Sequence, residues 1–270
     1  MELLQWVVFG VLPAITAVLV GVGTLGPRWL AAALAVAVCV PFGIAAGWPA
    51  WPWHLPLQGA ALAWLWWTFA AAGVVGVGYD ARLLPKPLLL AIDVVLVVAM
   101  PLLVTGEGRG AWKFETQVLW LAAAWLVLAA AWWVLRRVAK ILPGLTVPLV
   151  GAIALATDAW VLRERGVTLH WQLAGVGAIA LLMAVATTTW RRPFQCGTGA
   201  ALTITVLHTG PLLTAHGQGQ LPSWPFVLVA AVPLALGLAL LRLFARRPRL
   251  GAAVGIGGCL LLAGIAIARA

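Results

Sequence analysis

About ten stretches of roughly 20 mostly apolar residues follow one another along this 270-residue chain, separated by short breaks that hold most of the charge. A helix of that length crosses about 30 Å of hydrocarbon. Backbone inside hydrocarbon must satisfy its own hydrogen bonds, and a helix does so within one segment. The pattern therefore predicts an all-α, polytopic transmembrane helical bundle of about ten spans. Only 9% of the residues are charged, against roughly 25% in a soluble domain, too few to cover a water-facing surface. No break is long enough for a folded soluble domain. Residues 1–270 read as a single integral membrane domain, with any function inside the bilayer or at its two faces.

The predicted spans are Leu3–Leu25, Trp29–Gly47, Leu57–Val77, Leu84–Val104, Thr116–Leu135, Leu145–Leu162, Leu169–Trp190, Ala200–Ala215, Trp224–Phe244 and Leu250–Ala268. The eighth is short and the most polar. The first starts directly behind Met1 and Glu2 without the basic region of a signal peptide, so it is expected to be retained. Cys39, Cys196 and Cys259 form no CxxC pair, and no disulfide framework is expected.

Loop charge gives an orientation. With ten spans, 12 of the 17 Lys and Arg fall on one side, including Arg136, Arg137, Lys140, Arg242, Arg246, Arg247 and Arg249. If the eighth stretch did not cross, the division would be 9 against 8. Basic residues concentrate on the cytoplasmic side of membrane proteins, which favours ten spans with both termini outside. The net charge of +10 then reflects topology and anionic headgroups. No basic stripe is interleaved with exposed aromatics, so nucleic acid is not an expected partner. The expected environment is the lipid bilayer of a cytoplasmic (inner) membrane, with other membrane proteins or further copies of this chain as partners.

The 17 Trp fit this picture. Trp29, Trp112, Trp160, Trp171, Trp190 and Trp224 fall near span ends, where an indole suits the headgroup boundary. The segment Gly47–Pro56, with Trp48, Trp51 and Trp53, reads as an outer interfacial loop, because its three prolines preclude a regular helix. Trp64, Trp66 and Trp67 lie deeper and read as packing residues. Pro13, Pro41, Pro148, Pro211 and Pro233 fall within spans. Each removes a backbone hydrogen bond and can kink its helix, or mark a discontinuous helix at a binding site. No five-plus-five repeat is evident.

Ionisable residues deep in a span need a reason, since each costs at least about 2.5 kcal/mol there. Asp93 lies mid-span among apolar neighbours. Its two readings are a proton- or cation-binding carboxyl, and a protonated side chain bonding a neighbouring helix. Asp158, about one turn from the outer end of its span, reads as an interfacial ion pair with Arg163 or as a substrate contact. Thr205, His208, Thr209 and His216 share an arc of about 100°, as on a cavity-lining helix, with Thr203 and Thr214 opposite. Threonine hydroxyls also bond back to their own helix, so the stripe has a structural reading too. The candidate intramembrane polar site is thus Asp93, Asp158, Thr205, His208 and Thr209. His54, His170 and His216, with Glu107, Glu115 and Glu164, read as outer-loop residues without a metal-ligand spacing.

Absences narrow the chemistry. The chain has one Ser, Ser223, no Asn, no GxSxG, no GxxxxGK and no HExxH. Asp80 and Asp93 on consecutive spans sit at different depths, which disfavours an aspartyl dyad. Only His208 is firmly intramembrane, which disfavours paired haem ligands. No enzyme, cofactor or resident metal is expected.

The segment Val161–Val185, with Glu164, Arg165, Gln172 and Gly175, resembles a hairpin of drug/metabolite transporters, which implies a transport role. More broadly, the Trp/Pro loop and Leu221–Leu238 resemble uncharacterised bacterial inner-membrane proteins rich in Ala, Leu and Trp. Beside a membrane enzyme acting on lipid or a lipid-linked substrate, for which no convincing catalytic set stands out, two functions follow as expectations. One is a non-catalytic subunit or scaffold of a membrane assembly. The other is a small-solute permease using Asp93, Asp158 and His208. Convergence of these three on one solvent-reachable cavity would favour the permease; dry helix contacts would favour the scaffold.

Overall fold

Apolar side chains in long runs leave the backbone one economical way to hide its polar groups, and the chain takes it. A computed structural model describes residue 7 and residues 11–26, 29–45, 61–82, 85–104, 114–142, 144–189, 196–244 and 246–270. Among the described residues there are ten α-helices and no strand. They are α1 (Leu12–Leu25), α2 (Leu30–Ala45), α3 (Ala61–Asp80), α4 (Lys86–Val104), α5 (Phe114–Ile141), α6 (Thr146–Glu164), α7 (Thr168–Thr189), α8 (Thr198–Gly217), α9 (Ser223–Ala230) and α10 (Pro248–Arg269). A 3-10 helix, Val232–Leu240, continues α9, and a short one, Arg242–Phe244, follows. Each predicted span overlaps one of these helical segments. Among the described residues, five stretches are long and apolar enough to cross a membrane: Phe114–Ile141, Thr146–Glu164, Thr168–Thr187, Ser223–Leu240 and Pro248–Arg269. The Trp/Pro loop, with Trp48, Trp51, Trp53 and His54, lies outside the described residues, as do Glu107, Trp112 and Trp190.

Two boundaries differ from the sequence reading. Helix α5 runs to Ile141 rather than ending at Leu135, so Arg136, Arg137 and Lys140 ride on helix. Arg and Lys are good helix formers, and their charge signals the end of an apolar run, not of a helix. The ninth segment changes at Ala231 from α-helix to nine residues of 3-10 helix. Pro233 accompanies the switch, and 3-10 runs of that length are uncommon. Pro13 and Pro148 fall in the first turns of α1 and α6, where a proline interrupts little. Pro101 and Pro211 lie inside α4 and α8.

Helix α8 is the axis. Every residue from Gly199 to Gly217 is buried, and the helix packs against α2 through α7 and against α9. The most polar predicted span is thus the one withdrawn from the surroundings, inside a sheath of more apolar helices. Small residues permit the approach. A Cβ on Gly199 would sit 1.9 Å from the Gly76 carbonyl oxygen of α3, and one on Gly210 would sit 2.5 Å from Leu65. Elsewhere α6 packs along α7, and α10 along the 3-10 segment. There Gly251, Gly255 and Gly258 admit Phe244, Leu236 and Leu238.

Gly199→Ala should therefore destabilise the protein by at least the roughly 1–3 kcal/mol typical of overpacking, because the clashing atom is backbone and has no rotamer to change. Gly264→Ala, with nothing within 4 Å of the added carbon, should leave thermal unfolding in detergent unchanged. Equal melting of the two variants would show that α3 and α8 do not touch at Gly199.

Candidate functional site

Two separate polar clusters lie between the helices. The first joins α6 to α8. His208 Nδ1 and Asp158 Oδ2 are 2.8 Å apart, and their side chains are 1% and 0% exposed. Asp158 stands about 18 Å along α6 from its start and His208 about 15 Å along α8, so both lie well inside their helices. Asp158 Oδ1 and His208 Nε2 have no hydrogen-bond partner. Arg163 does not fold back to Asp158; it is exposed at the end of α6. The reading of Asp158 as an interfacial pair with Arg163 is corrected accordingly: a histidine on the facing helix is nearer than a side chain one turn along the same one.

The hydroxyls of the threonine stripe turn to backbone acceptors. Thr205, Thr209 and Thr214 donate to the carbonyls of Ala201, Thr205 and Gly210 at 2.8, 2.8 and 2.9 Å. Thr203 donates to Ala72 of α3 and to Gly199, each at 3.2 Å. Each hydroxyl is satisfied by backbone, mostly that of its own helix, which is how a polar helix becomes compatible with a dry interior.

The second cluster joins α3, α4 and α5. Asp93 accepts a hydrogen bond from the Tyr79 hydroxyl through Oδ2. Arg136 Nη1 lies 3.9 Å from the same oxygen. The guanidinium stands 5.7 Å from the Tyr79 ring centre and 5.6 Å from that of Trp132, within cation–π range. Asp93 is 3% exposed and Arg136 31%. The sequence placed Arg136 in a loop and left Asp93 without a cation. The extra turns of α5 bring the cation to it.

Asp80 has a third role. Its Oδ1 accepts the Gly199 N–H at 2.9 Å and its Oδ2 the Ala200 N–H at 3.1 Å. These amides open α8 and have no partner within the helix. A carboxylate there also suits the helix dipole. Gly197 is required beside it, since a Cβ would fall 2.0 Å from Asp80 Oδ1. Burial, with the Asp80 carboxylate nearby, pushes the Cys196 thiol up, so that thiol stays protonated. Asp80 and Asp93 thus have different partners and form no dyad.

His170 and His216, read from sequence as loop residues, are buried in α7 and α8. His216 is stacked between Trp120 and Phe226, with ring centres 5.6 and 4.7 Å away. Among the described residues no three His, Cys, Asp or Glu side chains are grouped to hold a metal. An apolar groove of about 450 Å³ between α2 and α3 is lined by Ala32, Ala35, Cys39, Trp66, Ala70 and Gly73, among others; none of the candidate polar residues borders it. Asp93 on one side, and Asp158 with His208 on the other, thus belong to two separate clusters and none of them borders this groove. No protein-family model matches the chain, and no curated protein matches it.

The Asp93 cluster makes an asymmetric prediction. Arg136→Leu leaves a buried carboxyl without its cation and should destabilise the protein by about 1–3 kcal/mol. Asp93→Leu should do less harm, because the half-buried guanidinium can turn outwards, and it should suppress the effect of Arg136→Leu. Thermal unfolding of both single variants and the double variant reads this directly; additive effects would mean that the two residues are uncoupled.

Proposed function

We propose that this chain is a ten-span protein of a bacterial cytoplasmic membrane, with both termini outside and the arginine-rich loops in the cytoplasm, acting as a non-catalytic subunit or scaffold of a membrane assembly. The observation that carries this reading is how the polar groups of α8 are matched within the bundle. The hydroxyls of Thr203, Thr205, Thr209 and Thr214 on α8 are tied to backbone, and the candidate polar residues are split between two helix contacts. A helix held in this way serves as a rigid post. The outer surfaces of α4, α5 and α10 expose large apolar residues such as Val95, Leu119, Leu126 and Leu261, available to lipid or to neighbouring membrane helices.

Solubilisation in mild detergent and affinity purification should recover the chain with membrane-protein partners or as a homo-oligomer. Recovery as a lone monomer at native expression level would count against the scaffold. For orientation, Cys39, Cys196 and Cys259 are replaced, and single cysteines are placed at Arg82, Glu164, Gln218 and Arg246. An impermeant thiol reagent on intact cells should label positions 164 and 218 only. Labelling at 82 and 246 instead would reverse the topology.

A second reading, the small-solute permease, has a specific observation in its favour. The His208–Asp158 pair leaves two buried polar atoms unmatched, which a purely structural contact has no reason to keep. The resemblance of Val161–Val185 to transporter hairpins points the same way. Proteoliposomes tested with a panel of small solutes decide it. Uptake abolished by Asp158→Asn supports the permease; uptake no greater than in empty liposomes removes it.

A further inference from the structure

The His208–Asp158 contact has an odd charge balance. With the aspartate ionised and the histidine neutral, the pair carries one negative charge, fully buried, about two thirds of the way along α6 and about midway along α8. No other charged group pairs with Asp158. The helices packed on α6 and α8 keep their titratable groups elsewhere. Tyr79 of α3, Asp93 of α4 and Arg136 of α5 serve one another, while Asp80 is held by the first turn of α8. Arg137 and Lys140 lie near the end of α5, and Glu115 at its start. His170 opens α7, and His216 is stacked against Trp120 and Phe226. Arg163 and Glu164 end α6, Arg242 follows the 3-10 segment, and Arg249 and Arg269 lie at the two ends of α10. Cys39 of α2 and Cys259 of α10 are free thiols, and Cys259 is hydrogen-bonded to the Leu236 backbone. Nothing on the neighbouring helices offsets a net charge at this depth. One bound proton does.

We propose that Asp158 and His208 together form an exchangeable single-proton site at the centre of the bundle. In the loaded state the pair is net neutral, with the Asp158 carboxylate facing an imidazolium. In the unloaded state Nδ1–H still donates to Asp158 Oδ2, and Nε2 carries the lone pair. On loading, a hydronium ion gives its proton to Nε2 and leaves as water; on release, Nε2–H gives the proton back to water. Two features suit the atoms to this work. Nε2 is unpartnered, so its proton is not committed to another acceptor. Asp158 Oδ1 is unpartnered too, and can accept a hydrogen bond from a water molecule that reaches the pair. Pro211, a turn further along α8, has no N–H for the Leu207 carbonyl, which weakens the helix next to His208. Because release leaves a buried negative charge, the proton departs only when water enters. The site thereby links hydration of the core to proton occupancy, whether the protein carries a solute or serves an assembly.

The test is nitrogen NMR of the full-length chain, ¹⁵N-labelled at histidine, in lipid nanodiscs from about pH 5 to about pH 9, the range in which histidine charge changes in proteins. His208 is assigned by the signal missing in His208→Gln. The expected result is a one-proton transition in the Nε2 shift while Nδ1 stays protonated, displaced in Asp158→Asn by at least about one pH unit, a tenfold change in proton affinity. His208 shifts in the unaltered protein that stay constant across the range would overturn the proposal, and because that arm uses no variant, misfolding cannot produce it. A transition that Asp158→Asn and Asp158→Glu both leave in place would also overturn it, since the histidine would then titrate alone.

Discussion

The rest of the bundle depends on the internal satisfaction of α8. This helix carries five threonines, two histidines and a proline, yet from Gly199 to Gly217 every residue is buried by protein. A polar group left unmatched in a dry interior costs about 1–3 kcal/mol, and a helix of this composition facing hydrocarbon alone would carry several. The protein removes most of the problem in three ways, leaving His208 Nε2 and Asp158 Oδ1 unmatched. Asp80 closes the first turn, the buried threonines bond to backbone, and Asp158 meets His208. Once these are in place, the neighbouring helices can close around α8 on small residues, and their outer faces need only be apolar.

That ordering explains why glycine and aspartate matter here out of proportion to their number. Gly76 and Gly199 let α3 and α8 touch backbone to backbone, and the same approach puts Asp80 within reach of the α8 amides. The Asp93 cluster follows a different logic. Tyr79, Arg136 and Trp132 surround one carboxylate near the ends of their helices, where the arginine remains partly exposed. One acid is fully enclosed with a titratable partner; the other has a permanent cation that reaches the surface. The two acids are therefore chemically unequal, although both sit in apolar stretches of sequence.

The positions of the helices were legible from sequence, because a run of about 20 apolar residues has few other solutions. Asp93, Asp158 and His208 also stood out, since an ionisable group in such a run needs a partner. The partners themselves were not legible. Asp80 caps amides 119 and 120 residues away, and Asp158 meets a histidine 50 residues away; spacing within one helix carries no trace of either. Arg136 was hidden for a different reason. In the sequence its charge marks the end of an apolar run, so the residue that answers Asp93 looks like part of a loop. The break at Ala231 was equally invisible, because an apolar 3-10 segment and an apolar α-helix share one composition. The polarity of α8 pointed to a cavity wall, whereas burial behind other helices accommodates the same residues.

Hydrogen–deuterium exchange of the full chain in lipid nanodiscs tests the central claim most directly. If α8 is a dry, protein-sheathed axis, the amides from Leu202 to Leu213 should be among the last in the protein to exchange, slower than those of the outer helices α4 and α10. Fast exchange across Thr205 to Thr209 would mean that water already lines this helix, and the account of α8 as an internally satisfied post would fail.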